Sequence, residues 1–348
     1  MSRRRARAAA VACVLAAWVA FPGGALAHGP VAPIASSYLA RVGTVPDGLQ
    51  AKVLDGDQRM WLRVAPGAPV VVVLDYRGAP YLRFSRAGVE VNRRSAMYFL
   101  NQTPAELPPG GLTAGTPPVW QPVSGGDAYS WHDGRLHALA SVALAPGASY
   151  AGRWTIPLRL GGRASAITGG LWHAGAPSIV WFWPIVVLLA CVLAGRRLRR
   201  PGLDARLARV LALAALAAIA TAGVARELHG RPTVSVVQLG TLAVVTAFVA
   251  WGLRRVLFER PGYFSYFAIA FVAIWQGGEL VPTLLEGYVL AAVPAFVARA
   301  AAVIALAGGA GLLLLIFRVA DETAEETPAG DRAAGKRREP ATAPKSLA

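Results

Sequence analysis

Cysteine is scarce in this chain of 348 residues, where only Cys13 and Cys191 are present. Cys13 lies in a short apolar run near the N-terminus, and Cys191 lies in a long apolar run much further along. Residues 28 to about 175 therefore contain no disulfide, no C-x-x-C-H haem attachment site and no thiolate ligand. Any metal ion bound by that segment has to be held by nitrogen or oxygen atoms.

Catalytic signatures are also missing. The chain has no G-x-S-x-G, no H-E-x-x-H, no P-loop and no dinucleotide-binding fingerprint. Asp75, Glu90 and Asp127 are isolated acidic residues, for which exposed structural positions are a sufficient explanation. We therefore predict that the protein is not an enzyme.

The formal charge of +16 does not indicate a nucleic-acid partner, because many arginines stand at the N-terminus or beside apolar runs.

The first residues have the pattern of a secretory signal. The basic start M-S-R-R-R-A-R precedes the uncharged run Ala8 to Phe21, and Ala25-Leu26-Ala27 supplies small residues before a cleavage point. We predict a signal peptide over residues 1–27, with an uncleaved anchor as the alternative. Cleavage after Ala27 makes His28 the first residue of the mature protein.

Long apolar runs dominate the second half and raise the mean hydropathy of the chain to +0.45. A helix needs about 20 residues to cross the hydrocarbon core, and fewer when arginines lie at its ends. We predict an all-α bundle of five transmembrane helices over residues 178–318. The five uncharged runs are Ser178 to Gly195, Val210 to Ala225, Thr233 to Leu253, Tyr263 to Gly278 and Ala300 to Phe317.

Arginines indicate the orientation of these spans. The loops after the first and third spans hold most of the loop arginines, whereas the loop after the second holds only Arg226 and Arg231. The positive-inside rule then predicts a multi-pass plasma-membrane protein, in contact with lipid, whose N-terminal domain is extracytoplasmic. The polar residues 319–348 are predicted to form a disordered cytoplasmic tail.

Residues 28–176 have the pattern of an all-β domain. Alternating or β-branched stretches are separated by turn signals such as Asp55-Gly56 and Pro66-Gly67, which favours an all-β sandwich. Asn101 to Asp127 is rich in Pro, Gly and Thr and is predicted to be a long loop. The predicted strands are residues 58–64, 70–74, 80–84, 88–91, 141–144, 150–160 and 163–172.

The end of this domain resembles the copper-resistance protein C family in the stretch Leu144 to Trp172, and His28 matches the N-terminal histidine of that family. The resemblance implies a secreted immunoglobulin-like sandwich that binds copper beside, or fused to, a membrane domain. The family's closing hairpin usually carries D-G-H, but here Leu160-Gly161-Gly162-Arg163 has no histidine. Only His28 therefore maps onto a family ligand.

The chemical groups of His28 also make it a candidate metal ligand, independently of the resemblance. An N-terminal histidine offers its α-amine and its ring nitrogen, and the unperturbed pKa of the amine, about 7.7–8, lets a metal ion displace its proton at neutral pH. Two nitrogen atoms from one residue suit Cu(II), which prefers tetragonal nitrogen and oxygen ligands. The alternative is that His28 merely follows a cleavage site.

The stretch S-W-H-D-G-R-L-H, residues 130–137, supplies the other candidates. It is similar to a W-H-D-H-R-x-H pattern of actinobacterial membrane proteins, with Gly134 in place of one histidine. His132 and His137 would lie on different faces of a regular strand or helix. A hairpin turn at Asp133-Gly134 would bring one or both rings towards His28, with Asp133 as an oxygen ligand or supporting partner. The alternative is a hairpin with two ordinary surface histidines.

These patterns predict a cell-envelope protein whose external domain binds a metal ion, with copper expected, for homeostasis or uptake. The predicted ligands are His28, His132, His137 and Asp133. The alternative is a membrane-anchored module that binds an envelope partner without metal or catalysis. Its contacts would come from the long loop and from Arg93, Arg94, Trp120, Tyr129 and Trp131.

Overall fold

The computed structural model describes residues 33–145, 147–195, 201–229, 235–259 and 261–325. The chain forms two compact units. The β unit contains the chain up to Ala176 together with Glu286–Leu290, and the helical unit contains Pro177–Leu285 and the chain from Ala291 onward. The predicted signal peptide, His28 and residues 326–348 of the predicted tail lie outside the described residues.

The β unit is built from antiparallel strands. One sheet has the order β2-β11-β10-β5-β6-β7-β8, a second has the order β3-β4-β9, and β1 pairs with β12. A short helix, α1 (Ala96–Leu100), and a 3-10 turn (Gly134–Leu136) interrupt the strands. The strands are β1 Ala35–Ser36, β2 Tyr38–Thr44, β3 Leu49–Leu54, β4 Arg59–Val64, β5 Val71–Leu74, β6 Pro80–Ser85, β7 Gly88–Asn92, β8 Trp120–Ser124, β9 Ala128–His132, β10 Tyr150–Leu160, β11 Arg163–His173 and β12 Tyr288–Val289.

Both larger sheets contribute side chains to one hydrophobic core. Val71 and Val73 of β5 are fully buried in alternation, as expected for a strand with one face turned inward. Leu62 of β4 and Trp131 of β9 bring the smaller sheet into the same core. Each fully buried aliphatic side chain stabilises the fold by about 1.5–3 kcal/mol relative to its exposed state. The end of β9 is therefore anchored from within by Trp131.

Strands predicted from alternation or from β-branched runs coincide with β4, β5, β6, β7, β10 and β11. The strand predicted for residues 141–144 was wrong, because these residues form a turn and irregular chain. The predicted loop from Asn101 to Asp127 contains the edge strand β8. Pro122 lies within β8, and proline is tolerated there because an edge strand leaves one row of N–H groups unpaired.

The helical unit follows the apolar runs. Among the described residues, three stretches are long and apolar enough to cross a membrane, namely Leu203–Glu227, Val236–Phe258 and Ala295–Ile316. Ile179–Ala190 is a shorter apolar stretch. The last helix continues to Glu325, into residues that were predicted to be disordered. The helices are α2 Trp183–Gly195, α3 Pro201–Glu227, α4 Val236–Phe258, α5 Tyr263–Leu280, α6 Pro282–Leu285 and α7 Ala295–Glu325.

Small residues allow α5 and α7 to approach closely. A Cβ atom on Gly277 would lie 2.9 Å from Cγ of Leu306 and 3.0 Å from its backbone nitrogen. A Cβ atom on Gly309 would lie 2.8 Å from the carbonyl oxygen of Ala270. Close backbone approach of this kind drives helix association where no water is present to supply a hydrophobic effect. Glycine is therefore required at this contact for steric reasons.

We expect Gly277→Ala to destabilise the protein relative to Gly278→Ala by about 1–3 kcal/mol, because the added methyl group overpacks the contact with Leu306. Gly278 is a matched control, since a Cβ atom there would meet nothing within 4 Å. Both substitutions raise helix propensity equally, so that effect cancels. Thermal unfolding of the full-length protein in detergent measures the difference. Equal melting temperatures for the two variants would contradict the packing argument.

Candidate metal site

His132 and His137 are neighbours in the structure. His132 ends β9, and His137 follows the 3-10 turn Gly134–Leu136 as its C-terminal cap. The centres of the two imidazole rings are 5.4 Å apart, with ring planes inclined at 43°. A 3-10 turn accounts for this proximity, which neither a regular strand nor a regular helix allows at a spacing of five residues. The predicted hairpin was wrong in detail, because the next strand in the described part of the chain after Asp133-Gly134 begins at Tyr150.

Asp133 begins the turn as its N-terminal cap. Its carboxylate accepts a hydrogen bond from the backbone nitrogen of Arg135 at 3.1 Å, and its carbonyl oxygen accepts from the backbone nitrogen of Leu136 at 3.1 Å. Aspartate favours such positions because its short side chain reaches backbone N–H groups two residues ahead. Leu136 is fully buried and fixes the turn to the core.

A buried ion pair beneath the turn stabilises it. The carboxylate of Asp133 is fully buried and accepts from Nε and Nη2 of Arg135 at 2.8 and 2.7 Å. Its Oδ2 atom also accepts from Nε1 of Trp131 at 2.9 Å. Both carboxylate oxygens are therefore occupied by donors. Asp133 acts here as a support of the turn, and it could ligate a metal ion only by releasing Arg135 or Trp131.

Arg135 connects the turn to the larger sheet. Its Nη1 atom donates to the carbonyl oxygen of Leu74 at 3.0 Å, and its guanidinium lies 5.2 Å from the centre of the Tyr76 ring. The hydroxyl of Tyr76 accepts in turn from the backbone nitrogen of Gly134 at 2.6 Å. A planar guanidinium suits this role because it can bind a carboxylate through two nitrogens while stacking on a ring. The histidine turn is thus held at several points.

Asp57 faces His137 from the turn between β3 and β4. The Nδ1 atom of His137 lies 3.3 Å from the carbonyl oxygen of Asp57. A carbonyl oxygen can only accept, so this contact favours a proton on Nδ1 and leaves the lone pair on Nε2. Burial raises the pKa of the Asp57 carboxyl, and the nearby His137 partly offsets that effect. This pattern matches metal-binding histidines, whose second ring nitrogen usually donates to a carbonyl or carboxylate.

His132 is held through its backbone by Asn101. The side-chain oxygen of Asn101 accepts from the backbone nitrogen of His132 at 2.8 Å, and its amide nitrogen donates to the carbonyl oxygen of His132 at 3.1 Å. Partial burial of the ring lowers the pKa of His132, and the neighbouring His137 lowers it further. The neutral imidazole, which is the form that binds metal ions, is therefore favoured at neutral pH.

The other histidines lie elsewhere. His173 ends β11 and packs against Tyr38, with ring centres 4.9 Å apart, and His229 belongs to the helical unit. Within the described residues, no group of three or more His, Cys, Asp or Glu side chains is arranged to hold a metal ion. His28 is outside those residues, so its predicted role as a chelator stays a prediction. The structure brings together His132 and His137, with Asp133 behind them.

We expect Asp133→Asn to destabilise the β unit by about 3–5 kcal/mol, because it leaves the Arg135 guanidinium without its charge partner in a buried position. Asp127→Asn is the matched control, since the Arg63–Asp127 pair is about half exposed on both sides and such pairs contribute at most about 1 kcal/mol. Thermal unfolding of the full-length protein, followed by tryptophan fluorescence, reports the effect. A melting temperature for Asp133→Asn that equals that of Asp127→Asn would refute the supporting role.

Comparison with known proteins finds no counterpart at any of three levels: no protein-family model matches the chain, no curated protein matches it, and no solved structure matches it.

Proposed function

We propose that this chain is a multi-pass membrane protein of the cell envelope whose external β unit binds a transition-metal ion, with copper expected, for homeostasis or uptake. The proposed ligands are His132, His137 and the N-terminal His28. The observation that carries the proposal is the pair of imidazole rings 5.4 Å apart on a turn fixed by a buried ion pair. In this proposal the protein performs no catalysis.

The ring separation supports binding of one ion by both histidines. A ring nitrogen bound at about 2.0–2.1 Å places the ring centre about 3.2 Å from the ion. Two such rings at angles of about 90–120° around the ion have centres about 4.5–5.5 Å apart. The separation of 5.4 Å between His132 and His137 lies within that range. The distance between the ring centres therefore allows both histidines to bind one ion.

The donor set supports copper or a similar ion over a hard cation such as calcium or magnesium. Imidazole suits zinc, copper, iron and nickel, whereas calcium and magnesium prefer oxygen. Asp133, the nearest carboxylate in sequence, is committed to Arg135 and Trp131. Copper is preferred within the imidazole-binding group because His28 would add an amine and a third ring nitrogen, and because of the resemblance to the copper-resistance protein C family.

The chain path supports an even number of spans between the two parts of the β unit, which agrees with five spans in total. Glu286–Leu290 belongs to the β unit, so the chain has to return to the same side of the membrane between Ala176 and Glu286. Four predicted spans, which correspond to α2, α3, α4 and α5, lie between those points, and an even number of crossings satisfies this condition. Helix α7 is the fifth proposed span. We propose an immunoglobulin-like sandwich for the β unit and cytoplasmic placement of the C-terminal tail.

Cu(II) titration of the full-length protein, purified from a secreting host with its N-terminus sequenced, tests the proposal. We expect the double variant His132→Ala/His137→Ala to bind Cu(II) at least 10–100-fold more weakly. Loss of a group that only supports a ligand typically costs that much, and here the ligands themselves are removed. His173→Ala is the control, because His173 packs against Tyr38 outside the pair. Unchanged affinity in the double variant would overturn the histidine site.

A second titration tests the N-terminal chelate separately. Placing one extra alanine before His28 moves the α-amine away from the imidazole, and we expect Cu(II) affinity to fall by about tenfold or more because one chelate ring is lost. Placing the same alanine between Val31 and Ala32 keeps the amine on His28 and serves as the control. Equal affinities for the two insertions would show that the chelate does not form.

The alternative, a metal-independent interaction module, is favoured by one feature of the long loop. Leu107 is 91% exposed, so it offers an apolar side chain that an envelope partner would cover. Trp131, which the sequence placed among the contact residues, is only 2% exposed and belongs to the core, so that assignment was wrong. The alternative predicts an envelope partner that is lost when the loop is shortened, and copper titration that gives no response.

A further inference from the structure

Glu286–Leu290, which we name the strap, is a part of the β unit that arrives late in the sequence. It lies between α6 and α7 and contains β12, which pairs with β1. The backbone nitrogen of Leu290 donates to the carbonyl oxygen of Ile34 at 2.7 Å, and the hydroxyl of Ser37 donates to the carboxylate of Glu286. These bonds are made to the first described residues of the mature chain.

The side chain of Leu290 packs against the turn between β3 and β4, residues 55–58. Leu290 is 7% exposed, and its Cδ1 atom lies 3.2 Å from the position that a Cβ atom on Gly56 would occupy. Gly56 has φ +81°, a conformation that favours glycine, and its carbonyl oxygen accepts from the backbone nitrogen of Ala40. The strap therefore rests on a turn whose shape depends on a glycine and leaves no room for a larger residue.

The same turn touches the histidine turn at two points. The carbonyl oxygen of Gln58 accepts from the backbone nitrogen of Asp133 at 3.1 Å, and the carbonyl oxygen of Asp57 faces Nδ1 of His137 at 3.3 Å. Leu290, Gly56, Asp57 and His137 thus form a continuous series of contacts. These contacts link the strap to the carbonyl group that orients the His137 ring.

We propose that the strap positions the histidine pair, so that the seating of Leu290 and the affinity for the metal ion are coupled. This inference rests on the proposed function of His132 and His137. Coupling is reciprocal: if a seated strap strengthens metal binding, bound metal strengthens the seating of the strap by the same factor. Leu290 acts through Asp57 and is a positioning residue, since a ligand shell depends on the groups that orient its ligands.

The chain continues from the strap directly into the helical unit. The backbone nitrogen of Ala292, two residues after Leu290, donates to the carbonyl oxygen of Ala225 in α3, and α7 begins at Ala295. Only a few residues therefore separate the contact with Gly56 from the last helix.

The experiment compares Leu290→Ala with Leu290→Met in the full-length protein in detergent. Leu290→Ala empties the contact with Gly56, whereas methionine has a similar volume and should preserve it. Leu285→Ala is the control for loss of a leucine near the strap, because Leu285 is 53% exposed and belongs to the helical unit. Three measurements are made: Cu(II) affinity, the tautomer of the His137 ring by nitrogen-15 NMR without metal, and hydrogen exchange at the Leu290 amide with and without Cu(II).

We expect Leu290→Ala to weaken Cu(II) binding by about 10–100-fold, the range found for supporting partners of metal ligands, and to reduce the Nδ1–H tautomer of His137. Leu290→Met and Leu285→Ala should resemble the wild type. Cu(II) should slow exchange at the Leu290 amide in the wild type and leave it unchanged in His132→Ala/His137→Ala.

Two failures can be distinguished. A wild type that binds no Cu(II) at the pair overturns the proposed function and the coupling with it. A wild type that binds Cu(II) at the pair, while Leu290→Ala keeps the same affinity and the same His137 tautomer, overturns the coupling alone. Equal losses in Leu290→Ala and Leu285→Ala also overturn it, because the effect would then be nonspecific.

Discussion

The salt bridge between Asp133 and Arg135 is the constraint on which the candidate site depends. Asp133 is fully buried, so its charge has lost its hydration and requires the two guanidinium bonds and the indole N–H that replace water. Such a pair is weak evidence of net stability, but removal of either partner is costly. Its effect is to allow one arrangement of the turn: Trp131, Arg135 and Leu136 point inward, while His132 and His137 remain near the surface.

The two units are held together internally by different physical effects. In the β unit, large side chains such as Trp131, Tyr81 and Phe84 fill a core between sheets, where removal of apolar surface from water is the main driving force. In the helical unit, glycine and alanine let α5 and α7 approach until backbone and side chain touch. The β unit is stabilised by large side chains that fill its core. The helical unit is stabilised by small side chains that let two helices come close together.

Much of this fold follows from periodicity, and the site follows from it only in part. The alternating stretches predicted β4, β6 and β7, and the apolar runs predicted where the long helices lie. His132 and His137 were singled out by residue type, but their proximity depends on a 3-10 turn, which has no strong sequence period. The spacing of Trp131, Asp133 and Arg135 by two residues does place them on one face of an extended chain. Alternation alone, however, does not say which face is buried, so Trp131 was taken for a surface residue. Asn101 and Asp57 approach the histidines from distant segments and left no local signal.

The strap makes the β unit discontinuous in sequence, and this has a consequence for biogenesis. Strand β1 lies near the start of the described residues, whereas its partner β12 is synthesised about 250 residues later, after α2 to α5. Until Glu286–Leu290 has been synthesised, Ala35–Ser36 has no partner strand and the turn at Gly56 lacks its contact with Leu290. An incomplete edge of this kind is open to wrong pairing. The β unit is therefore complete only after Glu286–Leu290 has been synthesised, and a fragment cut at Ala176 lacks the pairing of β1 with β12.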